Sequence, residues 1–444
     1  MSTARLLAVS LLAVSLLAGA CSAPGPAVPP ASAAPWGAGP VTDVSSACAG
    51  RNAEVGQAAA PPRYVYEAWI GCGGEGFARS VDGGEHFSAP VTLPESSGSD
   101  DPAVAVAGDG TLYVSYLRYH SRYAYPVVAA SFDHGATFTQ TASLIPHPAG
   151  NWGDRDFIAA GPDGTVYVTW DYGPSRADVK VACSHVGSCA YANVDATAFV
   201  QKSTDHGKTW GPLTPMQPGF PAGGGYHAST VVQPGGTVDA LIRGHQLDPG
   251  TFAVHPGQEY FTSSSDGGQT WSPAVEVGAS AGSIAARTWW IDGNLSTDQA
   301  GNLYATWDTQ ASSGDVGWLS YSTDGGSTWS DPIRVTPDQD NAVHILQSAG
   351  AAPGTAYIAW LADNSSQGYA LYLRPFSIQN RWLAPVTQVS SRYGDPAIWP
   401  GDTFGISVMP GRSAPEHVAL SWGSAVGGSR NPEIYATVAG RRGP

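Results

Sequence analysis

The sequence predicts an all-β fold, a single β-propeller of four-stranded antiparallel blades. Three observations lead to this prediction: a turn motif that occurs five times, seven short apolar strands that recur along the chain, and the composition. With 55 Gly, 35 Pro, 15 Trp and 19 Tyr in 444 residues, and only 13% charged residues, the chain is rich in turn formers and large aromatics. That composition is typical of many short strands joined by tight turns.

The turn motif reads S-x-D-x-G-x-x-[W/F]. Its five copies occupy residues 80–87, 131–138, 203–210, 264–271 and 322–329. We expect the aspartate to accept hydrogen bonds from backbone amides one or two residues further on, the glycine to adopt positive φ, and the aromatic residue to return to a packed layer. Such a repeat indicates a hairpin turn that recurs in successive structural units.

This motif resembles the Asp-box, or BNR repeat, of sialidases and related β-propeller proteins. In that family the box joins the third and fourth strands of a blade, on the face opposite the active site. The resemblance therefore implies the fold and gives the five aspartates structural roles.

Seven short strands of apolar character support the same repeat. They lie at residues 64–69, 112–117, 166–170, 238–242, 303–307, 356–360 and 418–422. Most follow a tight turn, such as 108–110, so each unit reads strand, tight turn, strand, longer loop, strand, Asp-box, strand. A ring of such blades leaves only short, protected edges. The units begin near residues 53, 102, 154, 226, 288, 343 and 402.

Two units depart from the pattern. The sixth has residues 371–382 in place of an Asp-box, and the last is one strand short. We expect a segment near residues 41–46 to complete the last blade and close the ring. The count gives seven blades, with six as the alternative because sialidases have six.

The N-terminus predicts export. Arg5 precedes an apolar run, residues 6–20, which ends in Leu-Ala-Gly-Ala before Cys21. These are the parts of a signal peptide, residues 1–20, and the end resembles a bacterial lipobox, although Ala18 stands where Leu is usual. We expect a cell-surface lipoprotein with lipid on Cys21, a Pro- and Ala-rich tether over residues 21–47 and the propeller over 48–440. A freely secreted protein is the alternative.

The other four cysteines predict two disulfides. We pair Cys48 with Cys72 and Cys183 with Cys189 because each pair is close in sequence. An exported protein meets an oxidising medium, and the spacings do not fit the C-x-x-C pattern of a zinc site.

Candidate site residues lie on one face. The second-to-third strand loops are long, at 117–126, 171–195 and 243–259, and they share a face with the residues that enter the innermost strands. The candidate catalytic acids are Asp101, Asp154, Asp156 and Asp402. The candidate substrate-binding residues are Arg118, Arg155, Tyr172, His227, Arg243, Arg287, Trp289, Trp290 and His344.

The run Asp154-Arg155-Asp156 is the sharpest of these signals. Strict alternation along a strand predicts the two aspartates on one side and Arg155 on the other. Aspartates that face the centre suit acid/base chemistry, because crowding raises the pKa of at least one carboxyl. Arg155 in that position suits anion binding together with Arg287. An ion pair between two blades is the structural alternative.

The resemblance to sialidases also implies a catalytic set: three arginines that clamp a carboxylate, a Tyr–Glu pair, an Asp acid/base and an early Arg-Ile-Pro motif. No Arg-Ile-Pro occurs here. Four arginines, Arg118, Arg155, Arg243 and Arg287, suit a carboxylate clamp, yet none matches the family triad. Two function classes follow: a sialidase-like glycosidase, and a non-catalytic propeller that binds glycan or protein.

Charge and motifs limit the partners. A net charge of -15 argues against nucleic acid, which needs clustered Lys and Arg. Residues 338–341 carry oxygen ligands that suit calcium but lack the ordered spacing of a calcium loop, and no His-Glu-x-x-His motif occurs. We expect no cofactor and no metal, a monomer, a glycan partner, and membrane contact only through the N-terminal lipid.

Overall fold

Four-stranded antiparallel sheets repeat along the whole chain. The structure is a computed structural model. It describes residues 36–119, 123–145, 152–173, 179–183, 189–193, 197–216, 226–244, 258–278, 281, 293–311, 314–337, 343–364, 367–409 and 416–441. Within these ranges the secondary structure consists of 32 strands, and they form a seven-bladed β-propeller. The seven-blade count is confirmed over the alternative of six.

The chain begins with two short strands, β1 (Trp36–Ala38) and β2 (Thr42–Asp43). Blades 1 and 2 follow. Blade 1 contains β3 (Ala53–Ala60), β4 (Tyr64–Gly71), β5 (Gly74–Ser80) and β6 (Val91–Thr92). Blade 2 contains β7 (Ser99–Val106), β8 (Leu112–Tyr119), β9 (Ala124–Ser131) and β10 (Gln140–Ser143).

Blade 3 carries an inserted hairpin. Its own strands are β11 (Trp152–Ala160), β12 (Val166–Gly173), β15 (Thr197–Ser203) and β16 (Thr214–Pro215). The hairpin between β12 and β15 pairs β13 (Val179–Cys183) with β14 (Cys189–Asn193). Blade 4 contains β17 (Tyr226–Val232), β18 (Val238–Gly244), β19 (Gln258–Ser264) and β20 (Val275–Val277).

The last three blades vary at their outer strands. Blade 5 contains β21 (Asn294–Thr297), β22 (Leu303–Ala311), β23 (Gly314–Ser322) and β24 (Ile333–Arg334). Blade 6 contains β25 (Val343–Gly350), β26 (Thr355–Asn364) and β27 (Gly368–Ser377), with β28 (Trp382–Leu383) and β29 (Thr387–Gln388) both paired to β27. Blade 7 contains β30 (Gly405–Met409), β31 (His417–Ser424) and β32 (Glu433–Arg441).

The N-terminal strands close the ring, as the sequence predicts. Strands β1 and β2 both pair with β32, so the start of the chain supplies the outer strand of blade 7. A disulfide joins Cys48, just after this closure segment, to Cys72 in the turn between β4 and β5. The predicted Cys48–Cys72 pairing is thereby confirmed, and it ties the closure segment to blade 1.

The core consists of layers between neighbouring blades. One layer packs Tyr66 and Phe77 of blade 1 against Leu112 and Val114 of blade 2, all fully or almost fully buried. Four tryptophans recur at equivalent places on second strands and are also buried: Trp69, Trp170, Trp307 and Trp360. Burial of such large rings contributes to the apolar stabilisation of the blade interfaces.

The Asp-boxes form self-contained turns on one face. In the fourth box, the hydroxyl of Ser264 donates to Asp266 Oδ1 at 2.8 Å and accepts from the amide of Gly268 at 2.7 Å. Asp266 Oδ1 accepts from the amide of Thr270 at 2.9 Å. The aspartate therefore reaches four residues on, and the expected reach of one or two is wrong, because positive φ at Gly268 folds the next residues back over the carboxylate.

Hydrogen bonds to the box aspartates favour their ionised form. The hydroxyl and amide of Thr270 and the hydroxyl of Ser264 hold the pKa of Asp266 at about 2. Equivalent bonds hold the pKa of Asp324 at about 2 as well. These contacts agree with structural roles for the boxes.

Within the described ranges, no helix has the length and apolar character that a membrane span requires.

Candidate functional site

Four innermost strands are bulged at their entrances: β3, β7 and β11, and also β25, where the register shifts between Val343 and Ile345. The register shifts between Ala53 and Val55 in β3, between Asp100 and Ala103 in β7, and between Asp154 and Phe157 in β11. At these bulges Glu54, Asp101 and Arg155 adopt φ values of 54°, 57° and 53°. A left-handed backbone at a charged, non-glycine residue is strained, and bulges of this kind aim side chains at functional sites. A bulge with a charged residue in the left-handed conformation thus occurs in blades 1, 2 and 3.

Arg155 lies at the centre of the resulting cluster. Its guanidinium contacts the Asp402 carboxylate through Nη2, and its Nη1 lies 3.6 Å from Glu54 Oε1. All three side chains are at least nine-tenths buried. Because the three residues belong to blades 3, 7 and 1, the ion pairs span the central opening.

Close backbone packing holds Asp402 near Glu54. The amide of Glu54 donates to the carbonyl of Pro400 at 3.1 Å. Gly401 has φ of 113°, and a Cβ atom there would overlap the backbone of Glu54. The glycine is therefore required for this approach, which places the Asp402 carboxylate within reach of Arg155.

A second group surrounds the hydroxyl of Tyr119. That hydroxyl donates to Asp154 Oδ1 at 2.8 Å and lies 3.3 Å from Asp101 Oδ2. The amide of Asp154 donates to Asp171 on the neighbouring strand β12. The two carboxyls from blades 2 and 3 are thus bridged by one phenol.

Asp156 faces a cavity at the axis of the propeller. The cavity has a volume of about 280 Å³ and is lined by the innermost strands of all seven blades. Asp156 is 5% exposed, and Ser115 lies beside its carboxyl. Neither carboxylate oxygen makes a hydrogen bond of regular geometry, and neither does the Ser115 hydroxyl. A buried carboxyl with no such partner is costly, which points to a ligand, a proton or water at this place.

Burial makes several of these carboxyls harder to ionise than usual. Desolvation raises the pKa of Glu54, Asp154 and Asp156 well above its ordinary range, and nearby carboxylates add to the effect. Desolvation and the Asp101 charge raise the pKa of Asp100 to about 7. The site therefore holds carboxyls in both protonation states near neutral pH, as acid/base chemistry requires.

Trp399 and Arg51 lie near Asp402. The guanidinium carbon of Arg51 lies 4.3 Å from the centre of the Trp399 ring. The indole of Trp399 donates to Asp402 Oδ1 at 2.6 Å. Trp399 is buried against Ala53 and covered by Arg51, so its role is to hold the Asp402 carboxylate in place.

Solved structures of glycan-acting enzymes share this architecture. The NanB sialidase from Streptococcus pneumoniae matches with a TM-score of 0.50 at 10% identity, over 84% of this chain and 83% of that one. An α-L-arabinanase from Penicillium chrysogenum matches with a TM-score of 0.51 at 12% identity, over 87% and 93%. An ulvan lyase matches with a TM-score of 0.55 at 12% identity, over 89% and 96%. The chain has a sialidase-like β-propeller fold. Neither protein-family models nor curated proteins give a match in sequence.

The sialidase-like propeller brings five predicted residues together. Asp101, Arg155 and Asp156 line the central cavity. Asp402 contacts Arg155, and Asp154 is bridged to Asp101 by the Tyr119 hydroxyl. The predicted alternation within 154–156 is wrong, because the bulge interrupts it and Arg155 and Asp156 both line the cavity. Their assignment as catalytic or binding residues stays a prediction.

Other predicted residues lie elsewhere or outside the described part. Arg118 lies at the end of β8, where Nη1 is 3.8 Å from Glu95 Oε2. The ring of Tyr172 packs edge-on against Trp170 and Phe199. Four further predicted positions fall where side chains or whole residues are outside the described part of the chain, as does the calcium candidate at 338–341. They are His227, Arg243, His344 and the segment Arg287 to Trp290.

Several residues of the site were not assigned to it from the sequence, among them Glu54, Tyr119, Trp399, Arg51 and Asp100. Glu54 occupies the same bulge position as Asp101 and Arg155, and the signal available was a single carboxylate in an otherwise uncharged strand, 53–60. Tyr119 ends the second strand of blade 2, next to a loop already singled out for its length. Trp399 stands three residues before Asp402.

Two sequence features around the site have defined positions. Cys183 and Cys189 are direct register partners in the inserted hairpin, although their side chains lie outside the described part. Their disulfide stays a prediction. The stretch 278–282 reads Gly-Ala-Ser-Ala-Gly, but it follows the outer strand β20. The structure describes only Gly278 and Ala281 of this stretch, and we assign no activity to it.

Proposed function

We propose that this propeller acts on a glycan at the entrance of its central cavity, as a glycoside-cleaving enzyme. One observation carries the proposal: several carboxyls from blades 1, 2, 3 and 7 converge there around Tyr119 and Arg155. Glycosidic bonds are cleaved by paired carboxyl groups in different protonation states. The structural neighbours, a sialidase, an arabinanase and a lyase, act on glycans as well.

Asp154 and Asp101 are the residues to which we assign the chemistry. Burial holds Asp154 in its protonated form over a wider pH range than usual, so its proton is available to a leaving oxygen. Asp101 is half-buried and therefore reachable by a substrate. Tyr119 lies between the two and holds both carboxyls in place.

Turnover of a fluorogenic panel tests the assignment. The panel contains sialosides, neutral glycosides and amino-sugar glycosides, and the protein is the mature chain. We expect turnover of at least one member, a loss of about 100-fold or more in Asp154→Asn and in Asp101→Asn, and no change in Asp331→Asn, which is exposed and away from the site. Absence of turnover across the panel contradicts the catalytic proposal.

A non-catalytic glycan-binding propeller is the second candidate. The observation in its favour is that Arg155 is held by Glu54 and Asp402, so it joins three blades and contributes to the architecture. Together with the absence of Arg-Ile-Pro, this sets the site apart from a sialidase carboxylate clamp. Glycan binding without turnover is the result that selects this candidate.

We also propose that the protein is exported and held at the cell surface by lipid on Cys21. The support is the charged and apolar leader that ends in small residues before this cysteine. The confirmed disulfide between Cys48 and Cys72 agrees with an oxidising compartment.

A further inference from the structure

We infer that the glycan bound at this entrance carries a positive charge, namely the ammonium group of an amino sugar that is not N-acetylated. The inference rests on the proposed function and names the class of substrate. It departs from the acidic sugars that a sialidase-like fold suggests.

The charges at the entrance are strongly unbalanced. Six carboxyls act on one another there: Glu54, Asp100, Asp101, Asp154, Asp156 and Asp402. The cations that the structure describes beside them are Arg51 and Arg155. Among the described residues, two arginines lie beside six carboxyls, so the ionised form of this cluster is complementary to a further cation.

Both of these arginines are already engaged by carboxyls. Arg155 contacts Asp402 and Glu54. Burial lowers the pKa of Arg51, and the nearby carboxyls of Glu54, Asp100 and Asp402 oppose that effect. Arg118, further out, faces Glu95. An acidic sugar would therefore bring its carboxylate into a field that is already negative, while the side chains of Arg243 and Arg287 lie outside the described part.

Asp156 gives independent evidence for a ligand group. It is 5% exposed, lines the cavity of about 280 Å³, and has no regular hydrogen bond to either carboxylate oxygen. The cavity also presents neutral oxygen groups, from Gln57, Ser229 and Thr230 among others. An ammonium group donates three hydrogen bonds, so it can satisfy Asp156 and neighbouring oxygens at once.

In the free protein, protons bound to the carboxyls take the place of a bound cation. Burial raises the pKa of Glu54, Asp154 and Asp156, so protons partly neutralise the cluster at neutral pH. The titratable and charged groups that face these carboxyls are Asp100, Asp101, Asp171, Asp402, Glu75, Tyr119, Arg51 and Arg155. An arriving ammonium favours the ionised carboxylates, so its binding must release protons.

Titration calorimetry on the mature chain tests the inference. The ligands are a glucosamine tetramer, its fully N-acetylated counterpart, sialyllactose and calcium chloride. We expect the glucosamine tetramer to bind at least about tenfold more tightly than the N-acetylated one, because a charged hydrogen bond is worth more than a neutral one. Heats measured in buffers of different ionisation enthalpy should show proton release for the glucosamine tetramer alone.

Two substitutions test which residues produce the preference for the free amine. Asp156→Asn should remove most of the preference for the free amine, and Asp101→Asn, at a half-buried position, should reduce it in a protein whose core is unchanged. Asp331→Asn is the matched control and should keep the full preference. Melting temperatures of all three establish that each variant is folded.

Four outcomes overturn the inference. Equal binding of the two tetramers does so, as does tighter binding of sialyllactose, and both leave a glycan-acting function standing. Calcium that binds and abolishes the preference shows that the cluster serves a metal ion. Binding of no saccharide at all removes the proposed function together with the inference.

Discussion

Glu67 provides a sharp test of how burial of carboxyls affects this fold. It is fully buried on β4, and its Oε1 accepts from Gln57 Nε2 at 3.2 Å. The same amide nitrogen donates to Ser421 Oγ in blade 7 at 3.1 Å. Glu67 Oε2 makes no hydrogen bond of regular geometry. The carboxyl thus lies where blade 1 meets blade 7, at the closure of the ring.

The pKa of Glu67 determines the direction and the size of its effect on the free energy of unfolding. Burial raises the pKa of Glu67 from 4.5 to about 8, while hydrogen bonds from Gln57 and Ser421 lower it. The folded chain therefore keeps a proton that the unfolded chain loses, and stability falls as the pH rises from about 4.5 to about 8. Each pKa unit corresponds to about 1.4 kcal/mol, so the loss is up to about 5 kcal/mol.

Glu67→Gln removes the titration and keeps the shape. At pH 5 the variant should match the parent within about 1 kcal/mol, since both side chains are neutral. At pH 9 it should be more stable than the parent by up to about 5 kcal/mol. Urea unfolding at pH 5, 6, 7, 8 and 9 measures the difference, and taking the difference cancels the other buried carboxyls.

Glu85→Gln is the matched control, because Glu85 is exposed in the first Asp-box. Its stability difference from the parent should stay constant over the same pH range. A Glu67→Gln difference that is equally flat, or that falls with pH, would refute the argument that Glu67 is held protonated by burial.

Three further predictions concern the scaffold and the anchor. Cys48→Ser should lower the free energy of unfolding by about 2–4 kcal/mol, and reduced parent protein should unfold at the same urea concentration as the variant. Ser264→Ala should cost about 1–3 kcal/mol, because the buried amide of Gly268 loses its acceptor, whereas the exposed Ser327→Ala should change the melting temperature little. Cys21→Ser should move the protein from the membrane fraction to the soluble fraction, and equal retention would contradict lipidation.

Most of the fold could be predicted because its signals are local. Each Asp-box is completed by residues within the box, as Ser264 and Asp266 show, so its geometry depends on eight residues alone. The deficit of one strand in blade 7 likewise predicted the pairing of β2 with β32. Repeated motifs of this kind are recognisable even when the chain has low sequence identity to known proteins.

The site was less predictable because its contacts join distant parts of the chain. Arg155 and Asp402 are 247 residues apart, and no local pattern links them. The bulges were also hidden, since a bulge changes which side a residue faces without changing the sequence period of the strand around it. Glu54 illustrates this point, because alternation along the innermost strand β3 does not predict that Glu54 lines the central cavity.

The site depends on ring closure, because Arg155 of blade 3 binds carboxylates of blades 1 and 7. These two blades are the ones that the Cys48–Cys72 disulfide and the N-terminal strands hold together. Cys48→Ser should therefore weaken glycan binding under conditions where the chain is still folded. Ser264→Ala destabilises blade 4 on the opposite face and should leave the affinity unchanged. Calorimetry of both variants well below their melting temperatures compares them, and equal affinities would show that the site forms independently of the closure.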